Sequence, residues 1–371
     1  MTLYIIYFGL NNYTNVTDPE TGSKLKCMLK LALFFTWLQS RYLKRQHRKS
    51  VHLTRLNYYI YLNSQKISII LRALNPQLVS RSNILFIINP ISGGKNKSSL
   101  PSLIGKLLDP AKFMPSYSFT EYAGHAAELA EEAATRNFDV IVAVGGDGTI
   151  NEVASKVQEF KKVLGIIPFG SGNGLARFLK IPLSPSKAVQ VINNLNIIKI
   201  DTGLFNGKRF FNMAGMGFDA YISSVFAEDR SRGLTGYLKL GLKEVLSYKA
   251  QTYDLVIDGI EYTFKAFLIS IANSSQYGNN AHIAPAASVT DGLFDICIVK
   301  EFSIMRLPIL AYEMLTATTD QSKHVEIIKG REVTIKRPEE GAIHIDGEPL
   351  FMGRDIKVSI VPLSLRVIIP M

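Results

Sequence analysis

The residues best suited to chemistry sit in the stretch DVIVAVGGDGTINEV, from Asp139 to Val153. Val140 to Val144 form a near-continuous apolar run, the pattern of a buried parallel strand. The run ends on Gly145-Gly146-Asp147-Gly148, and a helical pattern begins at Thr149. Three glycines in four positions free the backbone and let a ligand come close to it. Backbone N–H groups at such a strand-to-helix turn attract phosphate. A carboxylate among those amides repels an anion unless a cation lies between them, or unless it handles a proton or a ribose hydroxyl. Asp147 therefore points to a nucleotide with Mg²⁺ rather than to bare phosphate. For this stretch alone, a tight glycine turn with Asp147 capping the helix is an equally good account.

Such a loop needs a sheet to hold it. From Arg81 onward strands alternate with helices. Ile84 to Ile88 (ILFII) runs into Asn89-Pro90-Ile91-Ser92-Gly93-Gly94, followed by a helix over residues 96–108. A short strand, Ser116 to Thr120, precedes Gly124-His125-Ala126, which opens an Ala/Glu-rich helix to Asn137. Lys162 to Pro168 (KVLGIIP) makes a fourth strand and ends in Phe169-Gly170-Ser171-Gly172-Asn173-Gly174. This alternation implies a Rossmann-like parallel sheet with right-handed crossovers. Such sheets bind ligands beyond the carboxyl ends of their strands. Here three strand ends carry Gly/Ser/Asn loops and the fourth leads to Thr120.

Around and beyond residue 203 strand patterns with turn signals dominate: 197–201, 208–213, 252–257, 262–272, 294–299, 332–336, 342–345 and 356–361. Asp258-Gly259 and Asp346-Gly347 are hairpin punctuation. Helical inserts are expected over 220–247 and 304–316. The expected architecture is α/β plus all-β. Residues 81–203 form a nucleotide-binding domain, residues 204–371 an antiparallel β-sandwich, and residues 1–80 an N-terminal extension.

The net charge of +11 is concentrated in that extension. Residues 1–80 hold 11 Lys/Arg against Asp18 and Glu20, leaving only +2 for the rest. Leu29 to Leu38 is a short apolar run with Phe34, Phe35 and Trp37, followed by Arg41, Lys44, Arg45, Arg48 and Lys49. This arm could lie on an anionic membrane surface, or be a poorly folded extension. No nucleic-acid recognition module accompanies the charge. Two cysteines, Cys27 and Cys297, make no disulfide framework and suit a reducing interior. No apolar run reaches the roughly 18 residues of a spanning helix, and the six histidines show no metal-ligand spacing.

The segments NPISGG at Asn89, GGDGTINEV at Gly145, PFGSGNGLAR at Pro168, DGLFDICIV at Asp291 and IDGEP at Ile345 occur in an order and spacing that resembles the diacylglycerol kinase catalytic-domain family, which includes sphingosine kinases. The resemblance covers residues 82–370. It implies an active site in the cleft between the two domains, with lipid entering from the sandwich side. By this resemblance Asn89, Pro90, Ile91, Ser92 and Gly93 lie along the nucleotide phosphates, and Thr120 contacts the nucleotide. Gly145, Gly146, Asp147, Gly148, Thr149, Asn151 and Glu152 form the main ATP loop, with Asp147 organising water around Mg²⁺. Ser171 and Asn173 complete the pocket, and Asp201 lies beside the nucleotide metal. Asp346 is the general base, with Glu348 sharing or competing for that role. Asp291, with the carbonyls of Ser288 and Leu293, holds a structural Mg²⁺. Apart from the resemblance, Asn212 to Asp219 (NMAGMGFD) reads as a flexible apolar wall where Asp219 meets a lipid head group, or as a core-packing corner. Many diacylglycerol kinases have Asp after the Asn of the fourth-strand loop, whereas this chain has Gly174.

These readings converge on a kinase that uses ATP and Mg²⁺ to phosphorylate a membrane-lipid hydroxyl. It would work in the cytoplasm at the inner membrane face, without nucleic acid, and its oligomeric state, including a homodimer, is open. Two alternatives stand: an NAD kinase-like enzyme, which shares the GGDGT loop, and a non-catalytic lipid- or nucleotide-binding member of the fold.

Overall fold

A computed structural model describes residues 81–371 other than 95, 229–244 and 246. The expectations for the basic arm and for Cys27, and most of the 220–247 insert, lie outside the described residues.

The first part alternates as read: β1 (Ser82–Ile88), α1 (Leu100–Leu107), β2 (Phe113–Phe119), α2 (His125–Thr135), β3 (Val140–Gly145), α3 (Asp147–Glu159), β4 (Val163–Pro168), α4 (Gly174–Phe178) and α5 (Pro185–Asn194). β3 and β4 are buried at every position, as strands covered on both faces must be. On α3, Ile150, Val153, Ala154 and Val157 recur at helical spacing and face the sheet. α2 packs through Ala126, Ala130, Ala133 and Ala134, whose small side chains bring it close. The strands run parallel in the order β2-β1-β3-β4, so all four carboxyl ends meet at one edge.

The second part contains β5 (Ile197–Phe205), β6 (Lys208–Phe210), β7 (Met213–Gly217), α6 (Phe218–Glu228), β8 (Gln251–Ile257), β9 (Ile260–Ala272), β10 (Gln276–Gly278), β11 (Ala281–His282), β12 (Phe294–Lys300), α7 (Leu307–Leu315), β13 (Val325–Gly330), β14 (Glu332–Lys336), β15 (Gly341–Ile345), β16 (Glu348–Met352) and β17 (Asp355–Ile368). Its pairings are antiparallel, and its core is built on Phe205, Phe210, Tyr253, Phe294 and Ile335. Both Asp-Gly turns are two-residue hairpins with left-handed backbone: Asp258-Gly259 joins β8 to β9, and Asp346-Gly347 joins β15 to β16.

The last strand pairs on both sides of the expected 203/204 division. β17 shifts register between Val361 and Leu365, where Leu363 is left-handed. Beyond that bulge Arg366 and Val367 pair in parallel with Val163 and Leu164 of β4. The end of the chain thus completes the parallel sheet and joins both halves into one hydrogen-bonded sheet. Among the described residues no helix is long and apolar enough to cross a membrane. Cys297 is a buried free thiol.

Candidate active site

The loops after β1, β3 and β4 interlock through their own polar groups. Asn89 donates from Nδ2 to Thr149 Oγ1 at 3.0 Å and accepts from the Ile91 amide at 3.1 Å. Asp147 accepts from the amides of Asn173 (2.8 Å) and Gly174 (2.9 Å), one on each oxygen. Asn173, left-handed and buried, uses both ends of its carboxamide on Gly170. Gly146 and Gly170 pass so closely that a Cβ on Gly170 would lie 2.6 Å from the Gly146 Cα. Ser171, Pro90, Ile91 and Gly93 are exposed on this edge, while Thr120 is buried at the end of β2 and donates its amide to Ile88.

The second part reaches this edge through the Asp346-Gly347 turn. Asp346 is buried and accepts four hydrogen bonds: from Asn151 Nδ2 (2.7 Å) and the Phe211 amide (2.9 Å) on Oδ2, and from the amides of Asn212 (2.9 Å) and Met213 (3.0 Å) on Oδ1. Burial raises its pKa, and these donors pull it back. Much of Glu348 is exposed, but its carboxyl lies against Gly148, where a Cβ would meet Glu348 Oε1 at 2.5 Å. Desolvation of that carboxyl, and then the Glu152 charge, raise its pKa. Asp147 is pushed up to about 6, by burial first, against the pull of the Asn173 amide, and then by the Asp346 charge.

Several expected ligands do other work. Glu152 caps α2, accepting from the amides of Gly124 (3.0 Å) and Ala126 (3.1 Å). Asn151 bridges α3 to Asp346 and to the Arg209 carbonyl. Asn173 shapes its own loop instead of reaching outward. Asp346 has its oxygens filled by protein donors, which weakens the expectation that it is the base and leaves Glu348 as the carboxylate without a protein donor among the described residues.

Asp201, expected beside the nucleotide metal, is also engaged by backbone amides. It is fully buried and spends its oxygens on the amides of Leu363 (2.7 Å) and Gly292 (2.8 Å), tying β5 to the β17 bulge and the loop before β12. At Asp291, Ser288 and Leu293, where a structural Mg²⁺ is expected, side chains are engaged by the chain itself. Asp291 accepts from the Leu293 amide at 3.1 Å and pairs with Lys329 Nζ at 3.0 Å, and Lys329 also reaches Asp295 at 3.4 Å. Ser288 Oγ is turned onto Thr290. Asp291 thus has an ammonium partner of its own chain, and no cluster of three or more His, Cys, Asp or Glu that could hold a metal lies among the described residues.

Asp219, at the start of α6, accepts from Tyr277 OH at 3.0 Å on the oxygen that also faces His344 Nε2 at 3.0 Å. His344 Nδ1 is buried without a partner. A cavity of about 600 Å³ opens beside α6, with Tyr221, Tyr253 and Phe351 on its wall together with Arg337, Glu339 and Glu340. Gly174 is explained by space: a Cβ there would lie 2.6 Å from Asn212 Nδ2 and 2.8 Å from the Tyr277 carbonyl, so no acid fits. Sequence reasoning missed Lys97, which is buried under the Pro90–Gly93 turn. A lysine in the polar run KNKSS reads as solvated, and only the fold turns it inward.

Residues 83–205 match the model of the diacylglycerol kinase catalytic domain, and residues 212–369 that of the YegS C-terminal NAD kinase beta sandwich-like domain. A Bacillus subtilis protein named diacylglycerol kinase is 30% identical over 279 residues, covering 73% of this chain and 90% of that protein. A Pseudomonas aeruginosa protein named "Probable lipid kinase YegS-like" is 32% identical over 255 residues, covering 67% of this chain and 82% of that one. The crystal structure of a diacylglycerol kinase from Bacillus anthracis superposes with a TM-score of 0.59 at 22% identity, over 78% of this chain and 97% of that one, a likeness of fold.

Proposed function

Because the chain belongs to the diacylglycerol kinase catalytic-domain family, we propose that it transfers the γ-phosphoryl group of ATP to a hydroxyl on a membrane lipid of the diacylglycerol or sphingoid kind. The observation that carries this reading is the turn from the second part that sets Asp346 and Glu348 against Asn151 and Gly148 of the glycine loop. A kinase needs a carboxylate beside the acceptor hydroxyl and amide dipoles beside the phosphates.

The exposed turn Pro90–Gly93, the Gly145–Gly148 turn and the amino end of α3 line the phosphate side. The residues fit a nucleotide accompanied by Mg²⁺. Burial first, and then the Asp346 charge, raise the proton affinity of Asp147, and no lysine or arginine is seen to pair with either acid among the described residues. Mg²⁺, when bound with ATP, supplies positive charge between these acids and the phosphates. Glu348 takes the proton of the lipid hydroxyl as that oxygen attacks the γ-phosphorus. The bond to the β–γ bridging oxygen breaks, and ADP leaves. Asp346 holds the acceptor side rigid through its four donors. The cavity beside α6, with both charged and aromatic walls, gives the lipid room, and the lipid acceptor places the chain at a membrane surface.

Purified full-length chain, ATP and Mg²⁺ are incubated with vesicles carrying a lipid panel, and products are read by mass spectrometry, with NAD as a second acceptor. A phosphorylated lipid is expected. Phosphorylated NAD alone moves the reading to an NAD kinase, and nucleotide binding with no product moves it to a binding protein.

A further inference from the structure

Lys97 is 2% exposed, although it follows a polar surface turn. Its ammonium donates to the carbonyl of Pro90 at 3.3 Å and to that of Ser92, and it sits 4.9 Å from the centre of the Phe169 ring. Gly93, left-handed at φ +62°, presses on the same residue: a Cβ there would lie 2.0 Å from the Phe169 carbonyl oxygen. The Pro90–Gly93 turn is therefore pinned to the end of β4 twice, through backbone contact and through the ammonium over the ring.

Burying a lysine is costly unless its ammonium is well bonded. A turn with only a structural task gains nothing from a charge that neutral groups could replace. A turn facing phosphate does. Carbonyl oxygens repel an anion, and two of them are drawn inward here, away from the exposed face. The charge that holds them also has the sign that attracts phosphate.

We propose that Lys97 is a positioning residue for the nucleotide phosphates. It withholds the Pro90 and Ser92 carbonyls from the anion and keeps a positive charge beneath the turn. This rests on the reading that the cleft binds ATP.

The test is Lys97→Met in the full chain, with steady-state kinetics and titration of trinitrophenyl-ATP fluorescence. KM for ATP and the nucleotide Kd should both rise roughly tenfold or more, the scale of a lost charged hydrogen bond. Meanwhile kcat should stay within about twofold and KM for lipid should not move, because the turn acts on binding and not on proton transfer. Lys97→Arg should recover most of the loss, since a guanidinium can still donate to both carbonyls. A folded Lys97→Met with unchanged KM and Kd overturns the proposal. Should that variant not fold, Phe169→Leu decides. It should raise KM for ATP by about two- to fivefold, the scale of a lost cation–π contact, and no change overturns the proposal. A wild-type chain that binds no nucleotide removes the ATP reading itself, and the proposal with it.

Discussion

Two Asp-Gly turns in this chain hold pairs of acids, and the fold completes them differently. At Asp291-Gly292, Asp291 and the buried Asp295 share Lys329, which stands opposite Asp295 on the neighbouring strand. At Asp346-Gly347, Asp346 and Glu348 have no basic partner among the described residues, and their neighbours are backbone amides, Asn151, Gly148 and the further acid Asp147. Acids neutralised by their own chain have nothing left to offer an outside cation or proton. Acids held by dipoles alone keep that capacity. Sequence motif alone does not separate the two turns; the strand opposite each of them does.

The comparison breaks first at Asp346. Asp346→Asn turns an N–H₂ group towards donors now satisfied by a carboxylate, and should cost about 2–4 kcal/mol of stability, seen as a lowered Tm. A variant as stable as wild type would mean that the four hydrogen bonds do not hold the turn. Asp201→Asn should cost about 1–3 kcal/mol with KM for ATP unchanged. A large rise in that KM would return Asp201 to the nucleotide.

Asp147 sharpens the contrast through pH. Its folded pKa of about 6 lies above the ordinary 3.8. The folded chain therefore binds this proton more tightly than the unfolded chain, so the group's contribution is full below about pH 4 and is lost as pH rises through about 6. Tm followed from pH 4 to 7 should fall less steeply in Asp147→Asn than in wild type, and an identical slope would mean that burial and the Asp346 charge do not raise the Asp147 pKa. The smallest effect is expected at the other turn. Lys329→Met takes a partly exposed ammonium away from Asp291 and the buried Asp295 and should cost only about 1 kcal/mol, because Asp295 can take up a proton in its place. The wild-type Tm without nucleotide should be the same in EDTA and in Mg²⁺, and a Mg²⁺-dependent rise abolished by Asp291→Asn would restore an ion to that loop.

Much of this was legible in the residues. β-branched runs ending in glycine announced β1, β3 and β4, because a strand buried on both faces leaves an unbroken apolar signature. Both hairpins followed from Asp-Gly, whose backbone preference is local. What stayed hidden depends on contacts distant in sequence. The return of β17 to β4 pairs residues about two hundred positions apart and leaves no local mark. Asp201 and Asp147 are each followed by Thr or Gly in similar turn contexts, yet one is sealed under Leu363 and the other lies at the loop edge. Lys97 looked solvated for the same reason, and β13 carried too mixed a pattern to be read as a strand.

The most direct measurement is the turnover of Glu348→Gln against wild type at saturating ATP and lipid, with Tm recorded for both. The loss of a proton acceptor should lower kcat by about 10²–10⁴-fold while Tm stays unchanged or rises slightly, since the variant removes a carboxyl whose charge the fold disfavours. Equal turnover in the two proteins would contradict the assignment of chemistry to the acids left without a cation.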